Sequence, residues 1–157
     1  MYMHVDINGA YAAFECAMDP KLAKSPLIIA SNNDATIIAM NRLAKNTGLK
    51  RGVPIFKCRD LIEKHHIAVR SSNFTLYEDY SNRFHETLEG FAEDTDRYSV
   101  DESFMLLKNM DKIVDFEEYG CLIRRTLLHN LSLTCGIGVS TTKTLALYSD
   151  QVFCDFF

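Results

Sequence analysis

The sequence lacks the features that would place it outside the globular proteins. It has no tryptophan, three prolines and seven glycines among 157 residues, which excludes a collagen-like or low-complexity chain. No apolar run approaches the ~20 residues that cross a bilayer, and the first residues do not join a basic segment to an apolar one as a signal peptide does. We therefore expect a cytoplasmic globular protein that does not engage a membrane.

Cysteine spacing and net charge exclude further classes. The five cysteines include no C-x-x-C pair, the spacing that zinc sites and redox motifs use. The net charge is −4, from 17 basic and 21 acidic residues, whereas a free-standing nucleic-acid-binding domain is usually basic because it neutralises phosphates. The composition therefore argues against tight DNA binding by this chain alone. What is present is 47% apolar residues, enough for a substantial core.

Hydrophobic periodicity in the first half predicts strands and helices. Residues 2–7 alternate between apolar and polar, which predicts a half-buried strand with Asp6 at its C-terminal end. A helix is predicted over 10–17, and the apolar pattern of residues 37–44 predicts another that ends at Gly48. A capping box at 75–78 opens a third predicted helix, which ends at Gly90.

The second half contains an internal hairpin. Residues 97–107 resemble strands on both sides of the pair Asp101-Glu102, residues 116–131 form an amphipathic pattern, and residues 133–139 are rich in strand formers. The predicted order is β-α-β-α-α-β-β-α-β-α. This order fits an α+β fold, with one antiparallel sheet and helices on one face.

Three acids are candidates for a metal site. Adjacent strand residues point to opposite faces, so Asp101 and Glu102 can serve one site only if they lie at a hairpin tip, beside the end of the strand that carries Asp6. Converging carboxylates repel one another unless a cation compensates them, and hard oxygen ligands favour Mg²⁺. A two-metal phosphoryl-transfer site is one interpretation. The alternative is that Asp6 caps a helix and Asp101-Glu102 form a polar turn.

Basic residues favour the first interpretation. Arg42 and Lys45 are three apart on a predicted helix, and Lys143 opens the last helical segment. Cations at these positions could bind a triphosphate whose metal ions sit on the acids. Their alternative role is a solvated helix face.

Six blocks of sequence carry a family resemblance. They are Asp6-Ile-Asn-Gly-Ala-Tyr-Ala12, Ser31-Asn-Asn-Asp34 with Ile38-Ala-Met-Asn41 and Ala44-Lys45, Gly48-Leu-Lys-Arg-Gly-Val-Pro54 with Phe56-Lys57, Ser71-Ser-Asn-Phe-Thr-Leu-Tyr77 with Asp79 and Ser81-Asn-Arg83, Tyr98-Ser-Val-Asp-Glu-Ser-Phe104, and Gly136-Ile-Gly-Val-Ser-Thr-Thr-Lys-Thr-Leu-Ala146. In this order they resemble the Y-family lesion-bypass DNA polymerases, and among those the UmuC-like catalytic subunits of the SOS response.

The resemblance implies a fold and a domain division. It implies a ferredoxin-like palm, βαββαβ, over residues 1–24 and 76–146, and a small, mostly helical fingers lobe over 25–75. Residues 147–157 depart from the family pattern and resemble a truncated tail, so we expect the thumb and little-finger domains to be absent. Gly9-Ala10 is a milder departure, because the family often has a larger aromatic there.

The resemblance also assigns residue roles. It implies that Asp6, Asp101 and Glu102 are catalytic carboxylates that bind two Mg²⁺ ions, with the carbonyl of Ile7 as a further ligand. It places Tyr11 as the steric gate against ribonucleotides. Arg42, Lys45 and Lys143, with Tyr11, would bind the incoming nucleotide. The alternative for Tyr11, which lies on an apolar helix face, is a core-packing residue, and it is the less favoured of the two.

The implied partners are those of a DNA polymerase. They are primer-template DNA and a deoxynucleoside triphosphate, with a UmuD-like accessory subunit and a recombinase filament. Three hypotheses follow: a catalytic module for template-directed nucleotidyl transfer, weak or inactive when isolated; a non-catalytic fragment that binds nucleotide or family partners; and a nucleotidyl cyclase on a similar sheet. The third would need neither a steric gate nor the Ser71-Ser-Asn73 block.

Overall fold

The computed structural model describes residues 1–33, 35–110 and 113–149. The chain forms two compact units, one of residues 1–8 with the chain from residue 78 on, and one of residues 9–77. The second unit is therefore a continuous insertion in the sequence of the first. Asp34 lies outside the described residues, and so does the predicted tail from residue 150 on.

Seven strands and six α-helices, besides two short 3-10 helices at Leu22–Lys24 and Ile55–Lys57, form the regular structure of the described residues. In chain order the elements are β1 (Tyr2–Ile7), α1 (Ala10–Met18), β2 (Leu27–Ala30), β3 (Ile37–Met40), α2 (Arg42–Lys45), α3 (Arg59–Lys64), β4 (Ala68–Ser71), α4 (Phe74–Glu89), β5 (Asp94–Arg97), β6 (Glu102–Leu106), α5 (Phe116–Leu131), β7 (Cys135–Ser140) and α6 (Lys143–Tyr148). None of these helices is long and apolar enough to cross a bilayer.

The first unit is built on a four-stranded antiparallel sheet. Its strand order is β5-β6-β1-β7, and the chain passes β1, α4, β5, β6, α5, β7. This is the βαββαβ arrangement of the predicted ferredoxin-like palm, and the α+β fold is confirmed. One face of β1 carries Met3, Val5 and Ile7, which are almost fully buried. Alternation of side chains then leaves Tyr2, His4 and Asp6 on the other face.

Helix α6 packs on that other face, which the sequence did not predict. Gly138 pairs with His4 across β1 and β7 and so shares its face. A Cβ at Gly138 would collide with the backbone carbonyl of Ala146 in α6. Gly120 of α5, by contrast, faces Ile137 on the opposite face. The expectation that all helices lie on one face of the sheet is therefore wrong, because a glycine in β7 lets α6 approach the other.

Gly138→Ala is expected to destabilise the first unit by about 1–3 kcal/mol, since backbone in α6 must move to admit the methyl group. Gly120→Ala is a matched control, because its Cβ would lie 3.7 Å from Ile137, an ordinary contact. It should leave the free energy of unfolding unchanged or raise it by up to about 1 kcal/mol through helix propensity. Urea unfolding measures both; equal stabilities for Gly138→Ala and the wild type would contradict the packing of α6.

The second unit contains a three-stranded sheet, so residues 25–75, the predicted fingers lobe, are not mostly helical. Its order is β3-β2-β4, with β2 antiparallel to β3 and parallel to β4. Strand β2 is buried along its whole length. Apolar side chains from the strands and the segments between them form one core, namely Ile28, Ile37, Ala44, Leu49, Cys58 and Ile67.

Two element predictions are wrong in detail. Residues 37–44 are not one helix: β3 pairs with β2, and only α2 is helical, since the cross-strand partners on β2 satisfy the backbone of Ile37–Met40. Helix α4 begins at Phe74 rather than after a capping box at Thr75, because the Asn73 side chain accepts the Leu76 amide at 3.2 Å. Its C-terminal end at Glu89 is as predicted.

The unit boundaries differ from the predicted domain boundaries. Helix α1 belongs to the second unit, whereas residues 10–24 were predicted as palm. The assignment of palm and fingers as functional domains stays a prediction.

Candidate functional site

The acidic pair lies at the hairpin between β5 and β6. Strand β5 ends at Arg97 and β6 starts at Glu102, so Asp101 lies in the turn and Glu102 is the first strand residue. The amides of Tyr98 and Ser99 both donate to the Glu102 carbonyl at 3.1 Å and close the turn. The hairpin tip that the sequence required is present.

Asp6 lies beside this tip. In the antiparallel pair of β1 and β6, Asp6 is directly opposite Glu102, so both side chains are on the same face. The Ile7 amide donates to the Asp101 carbonyl at 2.9 Å and extends the pairing into the turn. The structure therefore brings all three predicted carboxylates to one end of two neighbouring strands.

The Ser99 hydroxyl joins the two adjacent carboxylates. Its oxygen lies 2.8 Å from Asp101 Oδ1 and 3.1 Å from Glu102 Oε2. Two neighbouring residues can reach one hydroxyl only because the turn removes the strand alternation between them. Glu102 Oε1 is 3.5 Å from Nε2 of His4, two residues from Asp6 on the same face. Ser99 lies in the segment Tyr98–Phe104, but no sequence pattern indicates this contact.

The donor chemistry fits a hard divalent cation. Carboxylate oxygens from Asp6, Asp101 and Glu102 and a nearby main-chain carbonyl are the ligands that Mg²⁺ prefers. Among the described residues, no group of three or more His, Cys, Asp or Glu is arranged to hold a metal ion. Coordination by all three acids would therefore require a side-chain rotation within this group. Cys135 is opposite Ile7 and so lies on the buried face of the sheet rather than on the face of Asp6; burial raises the pKa of its thiol to about 12.

Lys143 is at the start of α6, on the same face of the sheet. Its Nζ is 2.5 Å from Asp96 Oδ2 and 5.4 Å from the centre of the Phe104 ring. Phe104 follows Glu102 by two residues in β6 and so shares its face. The hydrogen bond that Lys143 donates to Asp96 raises the pKa of Lys143, which remains a cation. A phosphate that binds Lys143 must compete with Asp96.

Arg42 and Lys45 are both exposed on helix α2 of the second unit. This single turn is held by Asn41, a residue that sequence reasoning did not single out. Its Oδ1 accepts the amides of Ala44 and Leu27, at 2.9 and 3.0 Å, and its Nδ2 donates to the Ser25 carbonyl at 2.8 Å. Asparagine before a short helix is the signal that could have identified it.

Tyr11 belongs to an aromatic cluster within the second unit. Its ring stacks on Tyr77, with centroids 4.6 Å apart and planes 12° from parallel, and meets Phe74 edge-on. Tyr77 is buried and donates to Glu15 at 3.0 Å; burial raises the pKa of its hydroxyl to about 12. Phe74 is exposed, and Tyr11 is half-buried. Tyr11 is therefore oriented by its neighbours without being a fully buried core residue.

The sequence is similar to MucB and DNA polymerase IV proteins. Residues 5–150 match the impB/mucB/samB family. Protein MucB of Escherichia coli is 42% identical over 146 residues, which are 93% of this chain and 35% of that protein. DNA polymerase IV of Bacillus anthracis is 30% identical over 147 residues, 92% of this chain and 35% of that protein. The chain thus spans about a third of the length of these curated relatives.

Solved structures share the fold. The insertion ternary complex of Dbh DNA polymerase matches with a TM-score of 0.84 and 24% identity, over 93% of this chain and 44% of that one. DinB from Sulfolobus solfataricus matches with a TM-score of 0.83 and 23% identity, over 93% and 43%. The family match over residues 5–150 shows that the chain belongs to the impB/mucB/samB family.

Proposed function

We propose that this chain is the N-terminal catalytic part of a lesion-bypass DNA polymerase of the SOS response and carries out Mg²⁺-dependent, template-directed nucleotidyl transfer. The observation that carries the proposal is the meeting of three carboxylates: Asp6 opposite Glu102 in the register of β1 and β6, with Asp101 in the adjoining turn. Carboxylates so close together favour divalent cations.

Asp6, Asp101 and Glu102, with the Ile7 carbonyl, would hold two Mg²⁺ ions. When bound, such a pair lowers the pKa of a primer 3′-hydroxyl and stabilises the leaving pyrophosphate. The carboxylates fix where the cations sit, so they also fix where the hydroxyl and the α-phosphate can meet. Ser99 keeps two of the three carboxylates on one side of the turn.

The cations of the chain would bind the triphosphate. Lys143, on the carboxylate face of the first unit, and Arg42 and Lys45, exposed on α2 of the second, carry charges that suit phosphate oxygens. Tyr11, oriented by Tyr77, would exclude a ribose 2′-hydroxyl. The partners of the whole polymerase would be primer-template DNA, a UmuD-like accessory subunit and a recombinase filament.

A second candidate function is a non-catalytic module that binds nucleotide or family partners. The chain spans 35% of MucB and has a net charge of −4, which provides few contacts to the phosphates of a duplex. Nucleotide and metal binding do not depend on those contacts. The two functions therefore share a nucleotide site and differ in primer extension.

Lys143→Ala is expected to weaken the binding of dATP in Mg²⁺ by roughly ten- to hundredfold, the loss of one hydrogen bond to a charged group. Affinity for Mn²⁺ alone should not change, because Lys143 is no metal ligand. Asp96→Asn, which removes the competing charge, should tighten dATP binding by about threefold. Isothermal titration calorimetry measures all three affinities.

The matched control is Lys108→Ala, since Lys108 pairs with Asp94 of β5 at 3.8 Å and has no proposed role in nucleotide binding. Its dATP affinity should equal that of the wild type. Equal affinities for Lys143→Ala and the wild type would remove Lys143 from the site and with it the proposed triphosphate position.

A further inference from the structure

A residue of helix α4 forms a hydrogen bond with the turn that carries the acidic pair. The Ser99 amide already donates to the Glu102 carbonyl within the turn. The Ser99 carbonyl lies 2.9 Å from Nε2 of His85, a residue of α4 that is 3% exposed. A carbonyl only accepts hydrogen bonds, so Nε2 carries the proton and donates. His85 thus fixes the main chain two residues before Asp101.

The second ring nitrogen of His85 makes histidine unfavourable at this buried position unless another interaction compensates for it. His85 Nδ1 is buried and has no hydrogen-bond partner within the described parts of the chain. Burial lowers the pKa of His85, so the ring is neutral and Nδ1 keeps an unshared electron pair away from water. A buried polar atom without a partner is unfavourable, and an apolar ring would avoid it. The bond to Ser99 is the interaction that a histidine supplies here and a phenylalanine does not.

Ser99 connects this bond to the carboxylates. Its hydroxyl lies 2.8 Å from Asp101 Oδ1 and 3.1 Å from Glu102 Oε2, so the position of its main chain sets the position of both contacts. We propose that His85 is a positioning residue that holds Ser99, and through it Asp101 and Glu102, in the arrangement that receives a divalent cation. This inference rests on the proposed function, because it concerns the same carboxylates.

The proposal is tested with two substitutions in the full chain. His85→Phe keeps a ring of similar size and removes the donor, whereas His85→Gln places an amide N–H near the position of Nε2. His85→Phe should weaken Mn²⁺ binding, followed by electron paramagnetic resonance, by roughly tenfold, the upper range for one neutral hydrogen bond. His85→Gln should stay within about twofold of the wild type. Without metal, amide hydrogen exchange at residues 99–102 should be faster in His85→Phe than in the wild type, and unchanged in His85→Gln.

Leu88→Ala separates positioning from general stability. Leu88 is fully buried on the same helix, so its truncation leaves a cavity and lowers the unfolding midpoint. None of the hydrogen bonds described above for the turn involves Leu88. Mn²⁺ affinity should change little. Equal losses of Mn²⁺ affinity in Leu88→Ala and His85→Phe, or unchanged affinity and exchange in His85→Phe, would overturn the role of His85. If the wild type does not bind Mn²⁺, or if loss of Asp101 leaves Mn²⁺ binding unchanged, the proposed function is refuted instead. Amide hydrogen exchange at residues 99–102 without metal would then still decide whether His85 holds the turn.

Discussion

Asp101→Ala is expected to abolish the binding of a deoxynucleoside triphosphate to this chain in the presence of Mg²⁺. In the proposed function, the carboxylates would hold the Mg²⁺ that binds the triphosphate. Loss of one of three carboxylates lowers the negative charge that attracts the cation and removes a ligand from the turn. Calorimetric titration with dATP, with and without Mg²⁺, measures the effect.

Two further variants make the result specific. Asp101→Asn keeps the size of the side chain and an oxygen that can accept from Ser99, but removes the charge, so it should lose nucleotide binding as Asp101→Ala does. Glu117→Ala removes an exposed carboxylate of α5, the helix that packs on the opposite face of the sheet from the acids. It should bind dATP like the wild type. Equal dATP affinity in Asp101→Asn and the wild type would refute the metal site.

The juxtaposition of the acids was predictable from sequence because it depends on local rules. A strand alternates its side chains, so two adjacent acids in an apolar segment require a bend, and an antiparallel neighbour places Asp6 beside that bend. The register of Asp6 with Glu102 is that arrangement.

The errors arose where distant contacts decide local structure. Ile37–Met40 has apolar residues that suit either a helix or a strand, and pairing with β2 selects the strand. Strand β4 was missed because its residues are mostly exposed and include Arg70; its parallel pairing with β2 gives it its structure. Short elements such as these depend more on their neighbours than on propensity.

Side-chain partners were the least predictable part of the site. His85 and Ser99 are 14 residues apart, and Lys143 and Asp96 are 47 apart. No periodicity links residues at these separations, so the contacts follow from the packing of α4 and α6 on the sheet. The sequence could therefore nominate the charged groups of the site but not the residues that hold them in place.

Primer extension by the 157-residue chain alone is expected to be near background. A polymerase must hold primer and template throughout a turnover, and an acidic chain offers few phosphate contacts. Fusion of the remaining part of a relative such as MucB after residue 146 is expected to restore synthesis, because the proposed metal and nucleotide residues all precede that point. Extension of a labelled primer on gels measures both. Processive synthesis by the unfused chain would contradict the need for further duplex contacts, and an inactive fusion that binds DNA would indicate a defect in the carboxylate site.

In the active fusion, Tyr11→Ala is expected to increase ribonucleotide incorporation relative to deoxyribonucleotide by roughly ten- to hundredfold, the discrimination that a small steric contact provides. The stacking of Tyr11 on Tyr77 holds its ring in one orientation, and removal of the ring opens the space that a 2′-hydroxyl needs. Tyr11→Phe keeps the ring and should keep the selection. The ratio of kcat/KM for ATP and dATP opposite template thymine measures it. If Tyr11 only packs against Tyr77, Tyr11→Ala will lower the unfolding temperature and leave that ratio unchanged, and the gate must then be sought elsewhere.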